Sequence, residues 1–191
     1  TTYSSGDYMT DDMLEDLKEN FSDSITAISL EESVGSGSVS DSGNTASVSI
    51  SGVNADYFTA NELTLLAGRS FLDQDYEEEK KVAMVSDLLV ENLFASAPSA
   101  ALGSTISVTV NNQYETYTIV GVYEYEESGV SVSSESDVTT TLYIPLETAK
   151  AQNHSDDGYT SLTIVTGAGS DSTTLSDEIE TFLNRYYYNN E

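Results

Sequence analysis

ISGVNADYFTANELTLLAGRSF, residues 50–71, ends one strand, carries Tyr57 and Phe58 through a short helical turn, and halts an apolar run on Gly68. Arg69 follows at once, in a chain with six Lys and Arg against 33 Asp and Glu. An arginine so placed either clamps a ligand or holds a turn. Just upstream, TASVSIS (45–51) sets Ala46, Val48 and Ile50 on one face and polar residues on the other, the period of a half-buried strand. Just downstream, LDQDYEEEKK (72–81) is an acidic stretch whose residues 73–79 read as a solvated helix start, and VAMVS (82–86) is a short continuous apolar strand.

The flanks follow the same logic. Thr10 caps a helix whose first turn holds Asp11 and Asp12, with Met13, Leu14, Leu17 and Phe21 on one face. SITAISLEE (24–32) is a strand, and the Gly/Ser-rich SVGSGSVSDSGN (33–44) is expected to be a loop or hairpin tip. Ser86 and Asp87 open a helix that turns Leu88, Leu89, Leu93 and Phe94 inward. STISVTV and YETYTIVGVYEYEE form a hairpin about Asn111-Asn112. SGVSVSSESD (128–137) reads as a mobile low-complexity stretch. VTTTLYIP is a strand ended by Pro145, followed by a short helix, the strand YTSLTIVT, and a last helix with Leu175, Ile179, Phe182, Leu183 and Tyr186 on one side. Helices returning onto antiparallel or mixed strands give the α+β class.

Composition excludes more than it assigns. A net charge of −27 repels phosphate backbones and anionic headgroups, so the chain has no nucleic-acid partner and favours cationic ones. Without cysteine there is no disulfide, zinc ribbon or thiol nucleophile. No run approaches the ~18 apolar residues of a membrane helix. TTYSSGDY at the start and RYYYNNE at the end read as cuts through a longer protein.

Chemical motifs are equally sparse. His154 sits in a polar loop beside Asp156 and Asp157, with no G-x-S-x-G elbow to supply a nucleophile. DQDYEEE (73–79) lacks the glycine and closing glutamate of a calcium loop. Neither GVSVSSESD nor GAGSD has the spacing that cradles phosphate. No catalytic, cofactor-binding or metal-ligating residue is assigned.

The ordered set ISGVNADYFTANELTLLAGRSF, KVAMVSDLLVENLF (81–94), ALGSTISV (101–108), YTIVGVYE (117–124), LYIPLETAKAQ (142–152) and SLTIVTGAGSDSTTLSDEIETFLNRYY (161–187) resembles the extracytoplasmic domain of MacB/FtsX-type ABC transporter permeases. The matching positions are Gly52, Tyr57, Phe58, Gly68, Arg69, Phe71, Leu93, Phe94, Gly103, Gly121 and Pro145, all expected to serve structure. On this reading Gly68 supplies backbone freedom for a turn that Arg69 holds by meeting a nearby carboxylate or carbonyl.

The resemblance implies a porter-like outer α/β subdomain, residues 1–53 and 128–191, carrying an inserted smaller mixed β/α subdomain, residues 54–127. It implies a non-enzymatic domain at the extracellular face of the cell membrane, part of a multi-pass protein. Partners would be the permease's own transmembrane helices, an ABC ATPase and a second permease copy. The implied task is to couple cytoplasmic ATP hydrolysis to efflux or extraction of an amphipathic compound, peptide or lipid-linked molecule, with a cationic peptide suiting the acidic surface. The Ser-rich stretches and acidity depart from the Gram-negative macrolide exporters and suggest a Gram-positive surface permease. The alternative is a cell-surface adhesin or ligand-sensing module that presents Tyr123, Tyr125 and Tyr186 to Tyr188 as its contact surface.

Overall fold

The computed structural model describes residues 8–127, 138–155, 158–159, 162–169 and 171–188. The low-complexity stretch 128–137, the Asp156-Asp157 pair and both extreme ends lie outside the described residues.

Helix α1 (Asp11–Asn20) starts where the Thr10 hydroxyl accepts the Met13 N–H at 3.3 Å, and it buries Met13, Leu14 and Leu17. Strand β1 runs from Ile25 to Asp41 and turns tightly into β2 (Asn44–Val53). The expected loop at 33–44 is therefore corrected: all but its last few residues extend a single strand. Serine and glycine have little preference for a strand, but here β2 pairs with the stretch and β5 (Thr105–Val110) pairs with Gly37 to Ser40, while Val39 is fully buried. Tertiary pairing overrides local propensity.

Asn54 caps α2 (Ala55–Asn61), and its carboxamide also accepts the Leu30 N–H and donates to the Ile28 carbonyl. Asp56 takes the Ile28 N–H at 3.0 Å, so the start of α2 is stitched to β1. After it come β3 (Leu65–Gly68), α3 (Asp73–Glu77), β4 (Val82–Ser86) and α4 (Asp87–Phe94). A 3-10 turn at Pro98–Ala101 leads to β5 and β6 (Gln113–Tyr123), joined at Asn111 and Asn112, both with positive φ as a two-residue hairpin turn demands. The chain ends with β7 (Thr140–Pro145), α5 (Leu146–Asn153), β8 (Leu162–Thr166) and α6 (Ser172–Tyr188).

Neighbouring strands run β2-β7-β4-β6-β5-β1-β8, with β3 beside β6. Because β1 also pairs with β2, six strands close a circuit, with β2–β7 and β4–β6 parallel. The circuit is thinnest between β4 and β7, where Met84 and Tyr143 make the one bridge. Closing the circuit removes the open edges of those six strands, while β3 and β8 are attached outside it. The class is α+β.

Two main cores follow. The larger joins Val48, Ile50, Val108, Ile119 and Leu142 with Leu89 and Leu93 of α4. The smaller gathers Leu14 and Leu17 of α1, Ile28 and Leu30 of β1, and Leu175 and Ile179 of α6. Residues 54–127 share the larger core with residues 39–50 and 142–149, so the expected insert packs continuously with the segments that flank it. None of the described helices is long and apolar enough to cross a membrane.

Candidate functional site

β3 approaches β6 closely because two glycines face each other, Gly68 against Gly121. Gly68 has φ +76°, and a Cβ there would strike the Val120 carbonyl oxygen; a Cβ on Gly121 would strike that of Arg69. With neither present, the Arg69 N–H reaches the Val120 carbonyl at 2.9 Å. The chain leaves the sheet at this point, and the Arg69 guanidinium turns back on it.

Arg69 Nη1 donates to the Ser70 carbonyl at 2.9 Å and to Asp75 Oδ2 at 2.7 Å. Asp75 Oδ2 also accepts the Leu72 N–H at 2.9 Å, and Lys80 Nζ lies 3.9 Å from the other oxygen. Asp75 is thus the third residue of α3 reaching back to the residue before the helix, half of a capping box, since Leu72 has no acceptor to return. Burial pushes the carboxyl pKa up, but the Arg69 and Leu72 hydrogen bonds and the charges of Arg69 and Lys80 outweigh it and hold the group below the usual aspartate value.

Asp75 is 1% exposed, which corrects the reading of 73–79 as a solvated acidic helix start at this one position. Asp73, two residues away, is exposed. The signal that separates them is position: only Asp75, at the third helical residue, reaches back to the Leu72 N–H with a cation behind it.

Beside this joint lies an aromatic cluster. Phe58 meets Phe71 edge to face at 5.9 Å between ring centres, and Tyr143 lies 5.3 Å from both Tyr57 and Tyr123. The Tyr123 hydroxyl donates to the Thr141 carbonyl at 2.5 Å, and those of Tyr57 and Tyr143 are 3.3 Å apart. Burial pushes the pKa values of Tyr57, Tyr123 and Tyr143 up. Near neutral pH these phenols stay protonated, able to donate but not to act as bases. The cluster spans the thin β4–β7 seam, where Ser86 Oγ and Thr140 Oγ1 share a buried hydrogen bond of 2.8 Å.

The structure brings Tyr57, Phe58 and Phe71 together next to Gly68, Arg69 and Gly121. Gly52 and Pro145 fall in another group, on paired strands where Gly52 lies against Ala149 of α5. Leu93 is buried in the larger core and Phe94 packs half-buried on it. Gly103 makes a turn with φ +80° and donates its N–H to the Ile119 carbonyl. His154 is exposed where α5 ends, in the left-handed conformation.

An open cleft of about 210 Å³ adjoins the seam, between the end of α2, the end of β6 and the start of β7. Glu62, Glu124 and Glu126 line it with Tyr123, Tyr125 and Thr140, and no lining residue is basic. Tyr123 is 5% exposed, so it is not part of an exposed tyrosine surface as the alternative reading required. The side chains of Tyr186 to Tyr188 lie outside the described ones.

Residues 1–182 match the family described as the MacB-like periplasmic core domain. Among solved structures the fold is similar to the extracellular domain of the noncanonic ABC-type transporter YknZ from Gram-positive bacteria, at 20% identity and a TM-score of 0.63 over 89% of this chain and 78% of that one. It is also similar to the periplasmic region of MacB from Actinobacillus actinomycetemcomitans, at 18% identity and a TM-score of 0.68 over 91% of this chain and 73% of that one. No curated protein matches the chain.

Proposed function

The chain belongs to the family of MacB-like periplasmic core domains, the extracytoplasmic part of ABC transporter permeases, and from that membership we propose that it relays ATP-driven movement of membrane helices to a substrate outside the membrane. The observation that carries this reading is the family match across residues 1–182. The domain performs no chemistry in this scheme. ATP is bound and hydrolysed by a cytoplasmic partner, and a second permease copy supplies the facing domain.

Residues 1–53 and 128–191 would form the subdomain joined to the membrane helices, and residues 54–127 the part it carries. The larger core, which takes residues from both, would make them move as one body. The motif positions from Gly52 to Pro145 would keep that body stiff. The substrate would be an amphipathic compound, peptide or lipid-linked molecule, moved outward at the surface of a Gram-positive cell. With a net charge of −27, a cationic amphipathic peptide is the form of substrate that the surface field would attract.

The test is made in the intact transporter. Replacing residues 9–188 with a flexible linker should leave basal ATP hydrolysis in place while abolishing its stimulation by substrate and the resistance that export confers. Unchanged export after that replacement would end the proposal.

A further inference from the structure

A groove of about 460 Å³ opens between the end of α1 and one flank of α6, within the size range of small-ligand sites. Its floor is apolar. Phe21 and Phe182, each half-buried, meet edge to face there with ring centres 5.6 Å apart. Glu178, Phe182 and Arg185 follow one another at helical spacings of four and three, so they share one stripe of α6 that faces the groove. Asn20 lines it from α1, and with its side-chain nitrogen donating to the Asp16 carbonyl at 2.7 Å, its carboxamide oxygen is left to accept.

Charge is ordered along this groove. Asp177 and Glu178 precede Phe182 on α6, and Arg185 follows it. At 1.5 Å per residue, Glu178 and Arg185 stand about 10 Å apart along the helix axis. The C-terminal end of α1 adds its negative pole, and Lys18 in the last turn of α1 does not line the groove. Arg185 is one of six Lys and Arg among 33 acids, yet among the described residues it forms no ion pair, whereas Arg69, Lys80 and Lys81 all do. An acidic end, an aromatic middle and an unpaired guanidinium thus lie in sequence along one groove.

The geometry points to this groove as the seat of a short extended peptide with free ends and an aromatic residue between them. A three-residue extended chain spans about 10 Å, which matches the step from Glu178 to Arg185. The N-terminal ammonium of the peptide lies against Asp177, Glu178 and the Asn20 oxygen. Its aromatic side chain covers Phe21 and Phe182. Its C-terminal carboxylate takes the Arg185 guanidinium, whose planar fork fits a carboxylate through two parallel hydrogen bonds. The order of charge selects this occupant. A ligand with cations alone leaves Arg185 unmet, an anion alone meets Asp177 and Glu178, and a second copy of the chain brings another 27 negative charges. The inference rests on the reading of the substrate as an amphipathic peptide and gives that peptide a place.

The experiment titrates the isotope-labelled 191-residue chain with the tripeptide Ala-Phe-Ala at low salt, followed by NMR. Shift changes should centre on residues 20–21 and 174–185. Acetylating the N-terminus of the peptide, or amidating its C-terminus, should each raise Kd about two- to fivefold, the range for a solvent-exposed ion pair. Glu178→Gln should weaken the free tripeptide by a similar factor and leave the acetylated form unchanged; Arg185→Gln should do the same with respect to the amidated form. Both positions are exposed, so both variants should keep the wild-type circular dichroism spectrum. Blocked and free peptides that respond equally to each variant would overturn the seat. Inorganic phosphate that moves the same resonances as strongly as the tripeptide would assign the groove to an anion and overturn the peptide. No binding of the tripeptide, in a domain whose replacement still abolishes export by the intact transporter, would overturn the groove alone and leave the proposed function standing.

Discussion

Arg69 Nη1 stands 2.7 Å from Asp75 Oδ2, and the same carboxylate oxygen takes the Leu72 N–H at 2.9 Å. A single buried acceptor therefore closes the turn after β3 and starts α3. An amide in its place still offers one oxygen but loses the negative charge that strengthens both hydrogen bonds. Asp75→Asn should cost about 1.5–3 kcal/mol, the range for hydrogen bonds to a charged group. Arg69→Ala should cost less, about 1 kcal/mol, because the guanidinium is 40% exposed and water takes its place. Urea unfolding of the two variants measures this; the reverse order would show that Arg69 matters more through packing than through charge.

Acid should erase that difference. The Asp75 pKa is held below its ordinary 3.8 in the folded chain, so the unfolded chain takes up the proton first as pH falls. The stability Asp75 contributes is complete above the ordinary value and is lost as pH drops through the lowered one. The gap in unfolding free energy between the wild type and Asp75→Asn should therefore be constant near neutrality and shrink below 3.8. A gap unchanged in strong acid would mean that the carboxylate's charge contributes nothing.

The aromatic seam acts at the other end of the pH scale. Tyr57, Tyr123 and Tyr143 have raised pKa values, chiefly through burial. The folded state holds their protons after the unfolded state has released them, so their contribution is complete below 10.0, the ordinary tyrosine value, and is lost as pH rises through the folded ones. Phenolate absorbance should show these three titrating together with alkaline unfolding, after the exposed tyrosines. Tyr123→Phe, which leaves the Thr141 carbonyl unpaired, should cost about 1–2 kcal/mol.

Gly121→Ala should be more damaging than its size suggests. The new Cβ meets the Arg69 carbonyl, a backbone atom that can retreat only by lifting β3 from β6. Overpacking of this kind costs about 1–3 kcal/mol. Amide exchange should speed up first at Arg69, whose N–H bonds Val120, and an unchanged exchange rate there would rule the mechanism out.

Leu93→Ala tests the larger core directly. Leu93 is fully enclosed on α4, so truncation leaves a cavity and should cost about 2–5 kcal/mol. Thermal unfolding that still melts as one transition would show that residues on both sides of 54–127 unfold together; two separate transitions would show independent subdomains.

Periodic and capping signals carry the pieces that depend on near neighbours. Thr10 and Ser86 announce helices because their hydroxyls accept N–H groups three residues on. Ile106, Val108 and Val110 announce a strand because alternate side chains face one core. The order of motifs from Gly52 to Pro145 points to the family for the same reason, since each is a short local pattern. Other features depend on groups far apart in the chain and so leave no local trace. Serine and glycine between 33 and 41 look like a loop until β2 and β5 pair with them. Asp75 looks like Asp73 until Arg69 is folded over it. Glu62 and Glu126 become one cleft only when α2 and β6 are brought side by side. Local preference is written residue by residue, whereas burial, charge pairing and strand partners are decided by which distant segments the closed sheet brings together.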